Sequence, residues 1–362
     1  MRVLLVKTSS LGDVIHTLPA LTDAAAVFPE LSFAWVVEEP FAEIPSWHPR
    51  VKKIIPMAWR RWRKTFFSKQ SYHEGRAFLK ALRTESYDLI LDAQGLVKSA
   101  LLTLAAKGRR GGLDWNSARE PLASWLYQKK CSVNFYQHAI VRMRLIFSHI
   151  LDYDLPTTLP DYGLARQQFI NPTKEADYLV FLHGTTWDTK LWPENYWLDL
   201  AKLAAREGLT VKLLWGSAVE EARARRLAAQ AENIVVMPRQ DLKGSARVLA
   251  NARAVVAVDT GLAHLAAALE VPTVSLYGPT NPEYTGALGR QQLCLPAHFP
   301  CAPCLKRECT YQGTAVTQPA CFSALPPTTV WNALLSLQEG NPPSCPSPTK
   351  NGGKEPAKQS CF

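Results

Sequence analysis

The sequence has no run of roughly 18 consecutive apolar residues, so it predicts no transmembrane helix. Its opening, MRVLLVKTSSLGD, holds a short apolar block with no small-residue cleavage site behind it, and reads as a buried strand rather than a leader. The cytoplasm is therefore the expected compartment. The junction after this strand carries one glycine, where a dinucleotide-binding G-x-G-x-x-G needs three, and no Gly-Lys-Ser/Thr follows to make a P-loop. Both absences argue against an NAD enzyme and a phosphate-cleaving ATPase. The chain offers no acidic cluster suited to holding a divalent metal at a diphosphate, and no recognised nucleic-acid motif occurs.

What is present is a soluble, globular composition: 47% apolar and 20% charged over 362 residues, long enough for two domains. The net charge of +10 is partly local. Arg60, Arg61, Arg63 and Lys64 fall within five residues, and Lys107, Arg109 and Arg110 form a second cluster. Such clusters suit a polyanionic partner (nucleic acid, anionic lipid headgroups or phosphorylated sugars) or form a solvated basic face. Eight cysteines in a cytoplasmic chain argue against a disulfide scaffold.

Strand and helix patterns alternate in both halves. Val3–Val6, Phe33–Val37 and Leu89–Leu91 read as strands among helices Val14–Val27 and Glu74–Thr84. Strands Tyr178–Leu182, Val211–Trp215, Ile234–Val236, Ala254–Val258 and Thr273–Tyr277 interleave with helices Glu194–Arg206, Glu220–Ala231, Lys243–Asn251 and Ala263–Leu269. This alternation predicts an α/β protein of two doubly wound parallel-sheet domains. The expected divisions are 1–160, 161–325, a helix over 326–338 that crosses back to the first domain, and a disordered Pro/Gly/Ser/Lys-rich tail, 339–362. Pro156, Pro160 and Pro172 mark the linker.

Ligands of open α/β sheets bind where strands end and helices begin. After the first strand, Asp13 stands at a helix start, where it is either an N-cap or a reactive carboxylate. In VVAVDTGLAHLAAAL, Asp259, Thr260 and Gly261 fall at a strand tip and His264 follows in the next helix. Gly261 would let a ligand approach the backbone, and the helix N-terminus would suit a diphosphate; the plainer alternative is a capped helix with a packed histidine. The loop HGTTWDTKLWP sets Thr185, Thr186 and Lys190 at another strand end, a second anion-facing arrangement.

Seven blocks together resemble the heptosyltransferase I family of lipopolysaccharide glycosyltransferases: SSLGDVIHTLPAL, WVVEEPFAEIPSWHP, RRWRK, DAQGLVKSA, DWNSAREPLAS, HGTTWDTKLWPENYW and VDTGLAHLAAAL followed by YGPTNP. The resemblance runs from Met1 to about Pro282. It implies a GT-B fold, two Rossmann-like domains facing a cleft, and an inverting transfer of heptose from ADP-heptose to the Kdo of Kdo-lipid A without metal or cofactor. It also implies a place on the cytoplasmic face of the inner membrane.

Carried over by position, the resemblance makes Asp13 the catalytic base and puts Lys190 at the diphosphate. ADP-heptose contacts fall on Thr185, Thr186, Lys190, Glu220, Asp259, Thr260, Gly261 and His264. A family methionine near the adenine aligns with Gln240, a departure. The acceptor side falls on Arg60, Arg61, Arg63 and Lys64, with Lys98 and Arg119.

After Pro296 the stretch CAPCLKRECTYQGTAVTQPACF departs from that family and resembles heptosyltransferase II-type enzymes. Cys301, Cys304, Cys309 and Cys321 are read as free thiols, with a structural zinc or a labile disulfide as alternatives. The rival functions are a heptosyltransferase with a heptose acceptor and a basic binding module without catalysis.

Overall fold

The computed structural model describes residues 1–65, 68–171 and 177–339. Two six-stranded, wholly parallel sheets form the chain. The first contains β1 (Arg2–Val6), β2 (Ser32–Glu38), β3 (Val51–Met57), β4 (Ser86–Asp92), β5 (Lys107–Leu113) and β6 (Lys129–Cys131), ordered β3-β2-β1-β4-β5-β6. The second contains β7 (Tyr178–Leu182), β8 (Thr210–Leu213), β9 (Ile234–Val236), β10 (Ala254–Val258), β11 (Thr273–Tyr277) and β12 (Gln292–Pro296), ordered β9-β8-β7-β10-β11-β12. Numbered within its own half, each sheet reads 3-2-1-4-5-6, the doubly wound order whose direction reverses between strands 1 and 4. The fold is thus the α/β, GT-B arrangement of two Rossmann-like sheets.

The central strands are apolar on both faces because helices cover both sides. Val3, Leu4, Leu5 and Val6 are fully buried, as are Val255, Val256, Ala257 and Val258. Helix Leu11–Val27 packs on helix Ala139–Leu151, and also on Gly261–Ala268 of the second half. Arg144 fixes the linker: its guanidinium pairs with buried Asp23 at 2.5 Å and donates to the carbonyls of Thr158 and Pro156.

The structure departs from the sequence reading at several elements. Helix Pro327–Gln338 does not cross back; it packs on helix Glu194–Arg206, β11 and β12. Its apolar face (Val330, Trp331, Leu334, Leu337) completes the core around Phe181 and Trp197. The second basic cluster, Lys107, Arg109 and Arg110, lies on β5, a strand not read from the sequence, and Arg110 Nε donates to the Leu126 carbonyl at 2.9 Å. The run KGRRGGL lacks apolar alternation because neighbours occupy the space of side chains. A Cβ at Gly111 would lie 2.8 Å from Ile150, and one at Gly112 2.6 Å from the Tyr127 ring. Strands β3, β6 and β12 were likewise unread. Pro172 and the expected disordered tail beyond Glu339 lie outside the described residues.

Candidate active site

The loops after β1 and β4, and those after β7 and β10, lie at the reversal points of the two sheets, and the predicted residues gather there. On the first sheet Ser10 is the N-cap of helix Leu11–Val27 and Asp13 its third residue. Asp13 Oδ2 accepts from the Ser10 N–H at 2.7 Å and the Ser10 hydroxyl at 2.9 Å. Asp13 is therefore a capping residue, and the cap aims its carboxylate. Burial works against its charge, but Lys7, the two Ser10 bonds and Arg142 outweigh burial and hold its pKa below the ordinary value.

Lys7 and Arg142 escaped the sequence reading. Lys7 directly follows β1 and is nearly inaccessible, its Nζ donating to the Ala93 carbonyl at 3.2 Å. Burial lowers its pKa while the Asp13 charge opposes that fall. Arg142, over the Phe135 ring at 4.7 Å, is lowered by burial with Asp13 again opposing. A lysine directly after a buried strand was a usable signal; Arg142, inside a helix, gave none. The β4 loop is built on buried Asp92, which accepts from Ser99, Tyr127, and the Gln94 and Gly95 N–H groups. Gln94 in turn accepts from the Thr8 N–H at 3.1 Å, tying the two loops together.

On the second sheet Lys190 Nζ meets Asp259 Oδ2 at 2.8 Å, with both side chains largely buried. The Thr280 hydroxyl donates to the same oxygen at 2.8 Å, and the Thr185 hydroxyl donates to the Asp259 carbonyl at 3.1 Å. Lys190 also lies 4.5 Å from the Trp187 ring. Thr186 is exposed beside this cluster. Glu220 closes a capping box with Ser217, its Oε2 accepting from the Gly216 N–H at 2.7 Å, and a Cβ on Gly184 would lie 2.6 Å from its carboxyl. Glu220 thus stands against the Thr185 loop. Gln240 is farther out, its amide bonded to the Pro238 carbonyl.

The halves meet where Thr260, N-cap of helix Gly261–Ala268, faces the start of helix Leu11–Val27. A Cβ on Gly261 would fall 2.8 Å from Leu11, and one on Gly12 3.0 Å from His264. The missing side chain of Gly261 makes room for Leu11 of the other half. His264 Nδ1 lies 3.1 Å from His16 Nε2, and His138 Nε2 lies 2.9 Å from the Gly286 carbonyl, again across the halves. Burial lowers His264 against the opposing charges of Asp259 and Asp13, one from each sheet. Burial also depresses His16 strongly and takes His138 down to about 4. The three histidines line the seam between the two charged centres, where burial disfavours their charged forms.

The basic block occupies the short helix Trp59–Trp62 and the residues after it. Its expected need for an external anion is corrected at one position. Arg61 pairs with Glu39 at 3.1 Å and with Glu74 at 2.8 Å, so the chain itself neutralises it. Arg63 and Lys64 are exposed, and Arg60 lies over the Phe41 ring at 5.6 Å. Burial raises the Glu38 pKa while Arg60 and Lys98 oppose the rise, which sets both cations around one carboxylate. Arg119 is exposed and close enough to Lys7 to lower its pKa.

Cys301, Cys304, Cys309 and Cys321 are free thiols lining one cavity with Thr189 and Tyr311. Among the described residues no three His, Cys, Asp or Glu side chains are gathered as a metal-holding group, and burial pushes Cys321 up to about 12. The segment braces the Thr185–Lys190 loop, the Thr189 hydroxyl donating to the Lys306 carbonyl at 2.7 Å.

Residues 75–315 match the model of glycosyltransferase family 9 (heptosyltransferase). The chain is 57% identical to lipopolysaccharide heptosyltransferase 1 of Pseudomonas aeruginosa, over 93% of this chain and 98% of that one. The solved E. coli heptosyltransferase WaaC with ADP superposes with a TM-score of 0.79 at 51% identity, over 82% of this chain and 93% of that one. WaaC with ADP-2-deoxy-2-fluoro heptose gives 0.76 at 51% identity over the same shares. The chain belongs to glycosyltransferase family 9, the heptosyltransferases.

Proposed function

We propose that the chain is an inverting glycosyltransferase that moves L-glycero-D-manno-heptose from ADP-heptose to the Kdo of Kdo-lipid A, in assembly of the lipopolysaccharide inner core at the cytoplasmic face of the inner membrane. Relatives named lipopolysaccharide heptosyltransferase 1 and a related enzyme solved with a fluorinated ADP-heptose support donor and product class. The observation that carries the mechanism is the meeting of two unlike charged centres: a carboxylate fixed by Ser10 on one sheet and a lysine fixed by Asp259 on the other.

In this mechanism an acceptor hydroxyl attacks the anomeric carbon while the bond from that carbon to the phosphate oxygen breaks on the opposite face. The electron pair leaves with ADP, and Asp13 takes the hydroxyl proton. Both capping bonds end on Oδ2, so Oδ1 is the oxygen assigned to that proton. Asp13 stays ionised because Lys7 and Arg142 face it. Lys190, with the N–H groups that open helix Gly261–Ala268, meets the charge that develops on the diphosphate. Thr185, Thr186, Glu220, Thr260, His264 and Gln240 are assigned to the rest of the donor. Arg60, Arg63 and Lys64, with Lys98 and Arg119, are assigned to the anionic acceptor, and Arg61 holds their helix in place.

The test is ADP release from ADP-heptose with Kdo-lipid A, with a heptosylated Kdo-lipid A, and with neither. Release with the first alone supports the proposal. Release only with the second moves the enzyme to the heptose-acceptor type that the cysteine stretch resembles. Release with neither removes the transferase assignment.

A further inference from the structure

The helix Val97–Ala105 is built the wrong way round for a soluble surface. It buries Ser99, Ala100 and Thr103 while Leu101 is 54% exposed and Leu104 47%. The adjoining 3-10 turn Pro121–Leu126, which packs on this helix, presents Leu122 and Trp125, the latter 70% exposed. Trp115 stacks on Trp125 with ring centres 5.6 Å apart and planes at 27°. Five large apolar side chains are thus exposed on a helix, the turn packed on it and the loop whose Trp115 stacks on that turn. Isolated exposed leucines are ordinary, but a joined patch marks a contact face.

The charges around the patch have one predominant sign. Lys98 lies on the same helix one turn before Leu101, Arg119 precedes the 3-10 turn, and Lys107 and Arg109 follow the helix, all exposed. The nearby acid, Glu120, is engaged at the helix start, its Oε2 accepting from the Val97 N–H at 2.7 Å. Tryptophan, leucine and cationic side chains on one face match the interfacial zone of an anionic bilayer, where rings and aliphatic chains enter the acyl boundary and cations meet headgroup phosphates. Two residues assigned above to the acceptor adjoin the patch in the fold: Lys98 on the helix that carries Leu101 and Leu104, and Arg119 just before the turn that carries Leu122 and Trp125.

We infer that Leu101, Leu104, Trp115, Leu122 and Trp125 form a membrane-docking face that seats the enzyme on an anionic lipid surface beside the acceptor opening. The inference rests on the lipid-borne acceptor proposed above and identifies the surface that reaches it. Docking there would turn a search for the acceptor in three dimensions into one along the bilayer.

The experiment uses the full chain and the variant Leu101→Ser/Leu122→Ser/Trp125→Ser, none of whose positions is assigned to substrate. Both are floated with vesicles of phosphatidylcholine, with and without phosphatidylglycerol, and both are assayed on vesicle-borne Kdo-lipid A and on its deacylated, water-soluble counterpart. The expected result is that the wild type binds the anionic vesicles, less so at high salt, and that the variant loses roughly ten-fold or more of that binding. Its activity should fall on the vesicle-borne acceptor and hold on the soluble one. Equal vesicle binding by the two proteins overturns the inference, as does an equal loss on both acceptors. A wild-type dimer that the substitutions dissociate in gel filtration also overturns it, by assigning the face to a second copy. Absence of ADP release with either acceptor condemns the transferase proposal instead, while vesicle flotation still judges the surface.

Discussion

His16 and His264 touch across the two halves, ring nitrogen to ring nitrogen at 3.1 Å, and both are nearly inaccessible. Protonating both would set two positive charges in contact, so the closed arrangement requires at least one neutral ring. His48, His138 and His183 are also buried, with pKa values taken down from 6.5 to about 4 by desolvation. A histidine depressed in the folded state binds protons more readily when unfolded. Its contribution to stability is whole above 6.5 and is lost as the pH falls from there towards 4. Each such residue contributes a slope of up to about 1.4 kcal/mol per pH unit within that window. Thermal unfolding should therefore be steady from pH 8 to 7 and drop steeply from pH 6 to 5. His138→Asn should flatten the slope, and an unchanged slope would remove His138 from the set.

Asp13→Asn and Asp13→Ala separate capping from proton transfer. The amide keeps an oxygen for the Ser10 N–H but cannot take a proton, whereas alanine loses both functions. Each should lower kcat by roughly 10²–10⁴-fold, while only Asp13→Ala loses about 0.5–2 kcal/mol of stability with the cap. An Asn variant that keeps more than about a tenth of kcat would show that Asp13 is a cap alone.

The Lys190–Asp259 contact invites a double-mutant cycle. Lys190→Ala should raise the donor KM and lower kcat, and Asp259→Asn should lower the melting temperature by leaving the ammonium without its carboxylate. The coupling between Lys190→Ala and Asp259→Ala in urea unfolding should reach roughly 1–3 kcal/mol. Additive effects would mean that the two side chains act independently.

Gly261→Ala tests the fit between the halves, because its methyl would lie 2.8 Å from Leu11. Such overpacking costs about 1–3 kcal/mol. The variant should lose both melting temperature and kcat/KM, and Leu11→Ala in the same chain should recover part of each. Failure of that rescue would mean that the space at Gly261 serves the donor.

Within the basic block the residues should divide. Arg63→Ala/Lys64→Ala should raise acceptor KM by roughly five- to a hundred-fold, less at high salt, and leave donor KM nearly unchanged. Arg61→Ala should lower stability instead, since Glu39 and Glu74 lose their common partner. An acceptor-specific, salt-sensitive loss in Arg61→Ala would return that residue to the acceptor side.

The parts legible beforehand were those written in local pattern. Continuous apolar runs such as Val3–Val6 and Ala254–Val258 announce central parallel strands, and polar residues at their ends announce loops at the sheet reversal points. What stayed hidden depends on partners distant in sequence. The strand Lys107–Leu113 looks like a basic glycine loop until Ile150 and Tyr127 are seen filling the space over Gly111 and Gly112. Helix Pro327–Gln338 has a plain apolar face, but nothing local says which sheet it covers. Arg142 and His138 gain meaning only through Asp13 and Gly286, and the pairing of Arg61 only through Glu39 and Glu74.

The repeated strand order has a historical consequence. The Asp13 carboxylate hangs from one sheet and the Lys190 ammonium from its topological twin, so mutation can explore one without disturbing the other. On the division of labour proposed above, loops on the first sheet are free to drift towards new acceptors while the second keeps its hold on the donor. The seam at Gly12, Leu11, Gly261 and His264 is the exception. There a residue of either half presses directly on the other, and inheritance must proceed in pairs.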